Sequence, residues 1–328
     1  MTDFSSLTVL VLAGGISHER DISLRSGRMV ADNLAAQGVT VVLRDLDVDL
    51  LGQLESTDFD VVWPALHGAA GEDGSLRGLL DLSSIPYVGS RTAPTRLAWD
   101  KPTAKTLVSR SGVNTPEWIT LSRDSFRDLG APNVLSHLGI GLPGSVVVKP
   151  SQGGSAQGVT IVDDSADLAS AMVHAYRYGD SALVEQRIFG TELSVCVIDT
   201  GGGPVALPAV EIVPRDGFFS FEARYNAGET RFYTPARISV SHAEGAADAA
   251  IRVFQALGLR DLCRVDFIVD AEGTPWFLEA SIMPGLTETS VFPEALEAAG
   301  YDVGSVFAAL CREASVRTEF RGDAPTSR

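Results

Sequence analysis

The sequence predicts an α/β protein whose second half turns α+β. Three observations carry that expectation. Apolar runs at 7–12, 39–43 and 59–66 surround a helical pattern at 21–37, the order of a parallel sheet with helices on its faces. A strand at 145–149 is followed, after a Gly/Ser loop, by a second strand at 159–162 rather than a helix, which is an antiparallel step. The stretch 263–281, CRVDFIVDAEGTPWFLEAS, reads as a β-hairpin about a turn-forming cluster at 270–274.

Composition narrows the class. A chain of 328 residues predicts two or three domains, and 45% apolar with 21% charged residues excludes disorder. A net charge of −16 argues against nucleic acid as a main partner. A small phosphate ligand remains open, since a few cations and backbone N–H groups suffice. Cys196, Cys263 and Cys311 are too few and scattered for a disulfide framework or a zinc site. The polar start and the lack of any membrane-length apolar run predict a soluble cytoplasmic protein with no membrane partner.

In the first unit, the loops 14–20 and 67–74 lie at strand carboxyl ends, where open α/β sheets bind ligands. A short helix at 75–82 and the segment 85–90 close it. Residues 92–110 are helical, but Pro102 predicts a break near Asp100 and Lys101. A strand at 115–121 and a polar helical stretch to 138 follow. The second unit has strand 145–149, loop 151–158, strand 159–162, helix 165–178 and strand 182–186. No Gly-Lys-Ser/Thr closes its loop, so it is not a P-loop. A hairpin at 193–199 and 205–213 comes next. Residues 218–233 are polar and aromatic, and predict an ordered loop that covers a site. An amphipathic helix at 243–257, the 263–281 hairpin and helices at 293–299 and 303–314 complete the chain, with a polar end.

A hairpin turn centred between Glu272 and Gly273 pairs Asp266 with Glu279 and Arg264 with Ser281. One face then carries Arg264, Asp266, Glu279 and Ser281. The other carries Val265, Phe267, Val269, Trp276, Leu278, Ala280 and Ile282, and must be buried. Opposed carboxylates repel unless a cation lies between them. Either Arg264 pairs with one acid on a solvated face, or the pair holds a metal ion. An all-oxygen donor set suits Mg²⁺ and excludes thiolate or imidazole metals. Lys149, with Gly153 and Gly154 behind it, offers a cation and backbone N–H groups to a phosphate. Together these predict a nucleotide with Mg²⁺, the parts phosphoryl transfer needs.

A family resemblance is carried by motifs spread along the chain: Gly14–Ser23 (GGISHERDIS), Leu66-His67-Gly68 with Gly71-Glu72-Asp73-Gly74, Asp100-Lys101, Lys149-Pro150-Ser151 with Gly154-Ser155, Glu222-Ala223-Arg224-Tyr225, Arg264-Val265-Asp266, Leu278-Glu279-Ala280, and Pro284-Gly285-Leu286-Thr287. Their number, order and spacing resemble the D-alanine–D-alanine ligases of the ATP-grasp superfamily. The resemblance implies an ATP-grasp fold behind an N-terminal parallel-sheet domain. It implies segments at 1–91 (Rossmann-like, substrate), 92–189 (central, with the phosphate loop) and 190–318 (catalytic), and a polar tail at 319–328. It implies ATP and Mg²⁺ (or Mn²⁺) as cofactors, D-amino acids as substrates, and a homodimer.

Roles follow by resemblance. Lys101 and Lys149 would hold ATP phosphates under the loop with Gly153 and Gly154. Glu185 would meet the adenine amino group, the backbone of Gln186 and Ile188 would frame the ring, and Glu192 would take the ribose. Asp266, Glu279 and Ser281 would be metal ligands. Glu19 would bind the first substrate's ammonium, with Ser155 and Tyr225 hydrogen-bonded to it, and His67 would lie near its carboxylate. Arg264, aimed at reaction charge rather than at an acid, would stabilise the tetrahedral oxyanion with the Gly285 N–H. Ser290 would hold the second substrate's carboxylate, and Arg224 would be a further substrate-binding residue. ATP would convert one carboxylate to an acyl phosphate, which the second amine attacks. Taken alone, His67 reads as a loop cap, Glu19 beside Arg20 as a surface pair, Tyr225 as packing and Lys101 as a solvated lysine.

Three positions depart from the family pattern. Ser281 stands where Asn is usual, Arg224 where Lys is usual, and Gln186 where Lys is common. Ser281 and Arg224 together keep open a ligase for a different amino acid in a secondary pathway. A non-catalytic nucleotide-binding protein is the third reading.

Overall fold

Strands β1 (Thr8–Leu12), β2 (Thr40–Arg44) and β3 (Val61–Pro64) form a parallel sheet in the order 2-1-3. They belong to a computed structural model that describes residues 4–56, 59–83, 85–226 and 228–317. Both faces of this sheet are covered, which explains the unbroken apolar runs. Val9, Val11, Val61 and Trp63 face the main core, where Trp63 meets Phe307 with ring centroids 4.9 Å apart. Leu10, Leu12 and Val62 face a smaller core with Leu50, Leu54, Leu76 and Leu80.

Helices Thr92–Trp99 and Lys101–Arg110 break at Asp100, as Pro102 requires. The Asp100 carboxylate caps the second helix, accepting from the Thr103 N–H at 3.0 Å. Strands β4 (Trp118–Ser122), β5 (Val146–Pro150), β6 (Thr160–Val162) and β7 (Ser181–Gln186) make an antiparallel sheet in the order 4-7-5-6. Here β5 and β6 pair antiparallel across the loop, with Val146 opposite Val162. The polar stretch before β5 is two helices, Arg123–Asp128 and Ala131–Gly141.

The largest sheet holds β8 (Thr191–Ile198), β9 (Val205–Ala206), β10 (Val210–Pro214), β11 (Thr230–Tyr233), β12 (Leu262–Val269) and β13 (Pro275–Ser281), in the order 11-10-8-12-13 with β9 on β8. Helix Val240–Ala256 buries Ala246, Ala249, Ala250 and Val253 in the same core as this sheet. The fully buried Asp261 ties distant segments together. It accepts from the Gly89 N–H at 2.6 Å and from Arg317 Nη1 at 3.0 Å.

Two expectations need correction. Residues 218–233 are not one loop. Phe221–Tyr225 is a helix, capped where the Ser220 hydroxyl accepts from the Ala223 N–H, and β11 pairs with β10. In the β12–β13 hairpin, Arg264 does pair with Ser281 and Asp266 with Glu279. Beyond them a β-bulge shifts the register, so that Phe267 opposes Phe277 and Ile268 opposes Trp276. Phe277, not Leu278, is therefore buried against Phe267. Leu278 turns to the cleft beside Glu279. The expected tail at 319–328 lies outside the described residues. No helix among the described residues is long and apolar enough to cross a membrane.

Candidate active site

Two clefts meet along the β12–β13 hairpin. The larger, about 460 Å³, opens between the central sheet and the largest sheet. Apolar walls come from Val147, Ile161, Ile188, Ile212, Ile268 and Leu278, and polar groups from Lys149, Glu185, Gln186, Glu192 and Asp266. A mostly apolar slot with a few fixed polar groups is what a nucleobase needs. The smaller cleft, about 150 Å³, is lined by Glu19, His67, Glu72, Ser155, Arg264, Ser281, Gly285 and Ser290. Lys101, Gly153, Gly154, Phe219, Arg224 and Glu279 line both.

The carboxylates sit at that junction. Ser194 donates to Asp266 Oδ1 at 2.6 Å. Arg264 donates to both Asp266 oxygens, from Nε at 2.8 Å and Nη2 at 2.7 Å. Arg264 thus neutralises an acid, contrary to the expectation that it points only at reaction charge. The reason is register: residues two apart on β12 share a face, and the fork matches a carboxylate. Arg264 still borders the smaller cleft. Glu279 meets Lys101 Nζ at 3.3 Å. Burial raises the Glu279 carboxyl, but Lys101, Lys149, Arg224 and Arg264 outweigh it and hold it at about 2. Asp266 and Glu279 face each other as a pair of oxygen donors, while the Ser281 hydroxyl donates to Glu72 Oε2 at 3.4 Å. The pair fits Mg²⁺, which takes one or two carboxylates plus substrate phosphates. No group of three or more His, Cys, Asp or Glu suited to a metal occurs among the described residues.

In the smaller cleft, Ser155 donates its hydroxyl to Glu19, joining the glycine-rich loop to the first β–α turn. Ser155 holds a left-handed backbone, φ 52°, a conformation non-glycine residues seldom adopt. His67 shares a 3.0 Å hydrogen bond between Nε2 and the Ser26 hydroxyl. Burial and the nearby Arg264 push its pKa down to about 4, so the ring is neutral at pH 7. The Ser290 hydroxyl accepts from the Thr287 N–H at 3.0 Å beside Gly285. The Tyr225 side chain lies outside the described residues.

Sequence reasoning missed three participants. Glu72 lines the smaller cleft, where burial and the Glu19 charge raise it to about 8. Its motif was visible, but its inward direction was not. Phe219 packs 4.1 Å beneath the Arg224 guanidinium, which faces both clefts. Lys105 is fully buried and contacts Glu185 at 2.7 Å, while Lys149 also pairs with Glu185. Glu192, on the rim of the larger cleft, is raised to about 7, chiefly by burial.

Comparison with known proteins adds a family. The family model "D-ala D-ala ligase C-terminus" matches residues 107–312, and "D-ala D-ala ligase N-terminus" matches residues 44–90. A D-alanine–D-alanine ligase of Anaeromyxobacter sp. (strain Fw109-5) is 40% identical over 312 residues, covering 95% of this chain and 96% of that protein. Among solved structures, the VanG D-Ala:D-Ser ligase of Enterococcus faecalis superposes with a TM-score of 0.83 at 26% identity, covering 94% of this chain and 99% of its own. The D-alanine–D-alanine ligase of Bacillus anthracis complexed with ATP gives 0.79 at 27% identity, covering 96% and 99%.

Proposed function

The chain belongs to the D-alanine–D-alanine ligase family, and on that premise we propose that it joins two D-alanine molecules into D-alanyl-D-alanine, with ATP converted to ADP and phosphate, for peptidoglycan precursor synthesis. The observation that carries this reading is the junction of the two clefts at Lys101, the Gly153–Gly154 loop, Arg224 and Glu279. A nucleotide base in the larger cleft places its phosphates at the mouth of the smaller one. A free carboxylate is a poor electrophile, and a phosphoryl group transferred at that mouth makes phosphate its leaving group.

The chain's own residues supply the positioning. Lys101 and Lys149 offset phosphate charge, and the loop at Gly153 and Gly154 presents N–H groups. Glu185, Gln186, Ile188 and Glu192 frame adenosine. Asp266 and Glu279, with Ser281, would hold Mg²⁺, which neutralises charge on the phosphates when bound. Glu19, held by Ser155 and with Tyr225 as the remaining member of that group, takes the first substrate's ammonium. His67 lies near that substrate's carboxylate and, being neutral, adds no positive charge beside the ammonium site. Arg264 and the Gly285 N–H face the tetrahedral oxyanion. Arg224 and Ser290 hold the second substrate's carboxylate. The reading includes the domain division at 1–91, 92–189 and 190–318, a homodimer and a cytoplasmic location.

Incubation with ATP, Mg²⁺ and D-alanine should release ADP, phosphate and a product of dipeptide mass. Absence of dipeptide under every divalent metal would overturn it. Ser281 and Arg224 favour a second reading, in which another amino acid takes the second position. A panel of second amino acids separates the two by their kcat/KM values.

A further inference from the structure

Helix Lys101–Arg110 sends two lysines, one turn apart on the same face, to two different acids. Lys101 meets Glu279 at 3.3 Å. Lys105 meets Glu185 Oε2 at 2.7 Å in a fully buried ion pair. The Lys105 ammonium also donates to Thr115 Oγ1 at 2.7 Å and to the Phe277 carbonyl at 3.3 Å. Two of its three N–H groups are thereby hydrogen-bonded, and its charge is paired with Glu185. The lysine side chain is wholly buried and never reaches the cleft. The other Glu185 oxygen, Oε1, contacts Lys149, which does line the cleft.

The cluster therefore holds two cations and one anion. With Lys105 in place, Glu185 is compensated from behind, and the net charge left over sits on the cleft side. Without it, Lys149 alone would compensate a buried carboxylate, and its charge would be spent inward. We propose that Lys105 is a positioning residue that neutralises Glu185 and so leaves the Lys149 ammonium available to nucleotide phosphate. Burial lowers the Lys105 ammonium to about 8, so it remains a cation at pH 7. The inference rests on the nucleotide reading of the larger cleft, and its test separates the two.

The readout is the ratio of adenosine Kd to ATP Kd, measured by calorimetry at fixed salt and Mg²⁺. It isolates the phosphate contribution from the base pocket. Wild-type protein that binds no ATP would defeat the nucleotide reading itself. Given ATP binding, K105M should lower the ratio by about tenfold, the scale of one charge-assisted contact. K105M/E185Q should return it to within about threefold of wild type, because no carboxylate then captures Lys149. A K105M ratio equal to wild type, or no recovery in the double variant, overturns the proposal. Should K105M fail to fold, the neutral pair K105M/E185Q is compared with E185Q. Their ratios should agree within about threefold, and a tenfold difference overturns the proposal.

Discussion

Glu279→Gln separates two roles that one carboxylate plays at the junction of the clefts. Its Oε2 lies 3.3 Å from Lys101 Nζ, an attraction of about 5 kcal/mol at an effective dielectric of ~20. That charge does two opposite things. It holds Lys101 away from an incoming phosphate, and it supplies half of the paired anionic donor set with Asp266. The amide keeps shape but removes charge. Water and the remaining acid screen most of the gross attraction, so about 1 kcal/mol should pass to a phosphate ligand. Metal-free ADP should therefore bind about fivefold tighter to the variant. Turnover with Mg²⁺ should fall by at least ~10³-fold, since one lost charge at the metal position amounts to about 4 kcal/mol. The assays are calorimetry in EDTA and steady-state ADP release with D-alanine. Turnover within tenfold of wild type would refute the metal assignment. Weaker metal-free ADP binding would refute the role given to Lys101.

Three other perturbations follow from the same geometry. His67 is held near pKa 4 against an unfolded value of about 6.5. Its neutral form is favoured by folding, so stability is complete above about pH 6.5 and is lost as pH falls toward 4, by about 3 kcal/mol. His67→Gln should flatten that slope in urea titrations at pH 4.5 to 7, and an unchanged slope would contradict the burial argument. Asp261→Ala strands Arg317 and the Gly89 N–H in the interior, and should cost about 3–5 kcal/mol in denaturant unfolding, with a shift below 1 kcal/mol counting against it. Ser281→Asn places a longer amide oxygen beside Glu279, and should lower the Mg²⁺ concentration for half-maximal rate; a raised concentration would show that the hydroxyl is no metal position.

What could be read from the sequence depended on whether neighbouring residues differ in kind. Arg264 with Ser281 and Asp266 with Glu279 were legible as pairs, because charged and apolar residues alternate there. The bulge was not, because Trp276, Phe277 and Leu278 are all apolar, and nothing in their order says which one turns inward. The break at Asp100 was legible through Pro102 and the capping carboxylate. Lys105 was not. On a helix with a low apolar content it reads as solvated, and its partners Glu185 and Phe277 are brought to it only by the tertiary fold. Residues 218–233 read as a loop from their polarity, yet edge pairing with β10 made a strand of their end. Local propensity yields to such pairing. The contact of Arg264 with Asp266 depended on rotamer and burial, which sequence leaves open.

The transfer of a phosphoryl group to a carboxylate at the meeting of the two clefts has a direct isotopic test. D-Alanine labelled with ¹⁸O in its carboxylate is turned over with ATP and Mg²⁺, and the released inorganic phosphate is read by mass. Attack of that carboxylate on the terminal phosphorus carries one of its oxygens into the phosphate when the second amine displaces it. One ¹⁸O in each phosphate, matched to one dipeptide, is the predicted result. Unlabelled phosphate released alongside dipeptide would contradict it.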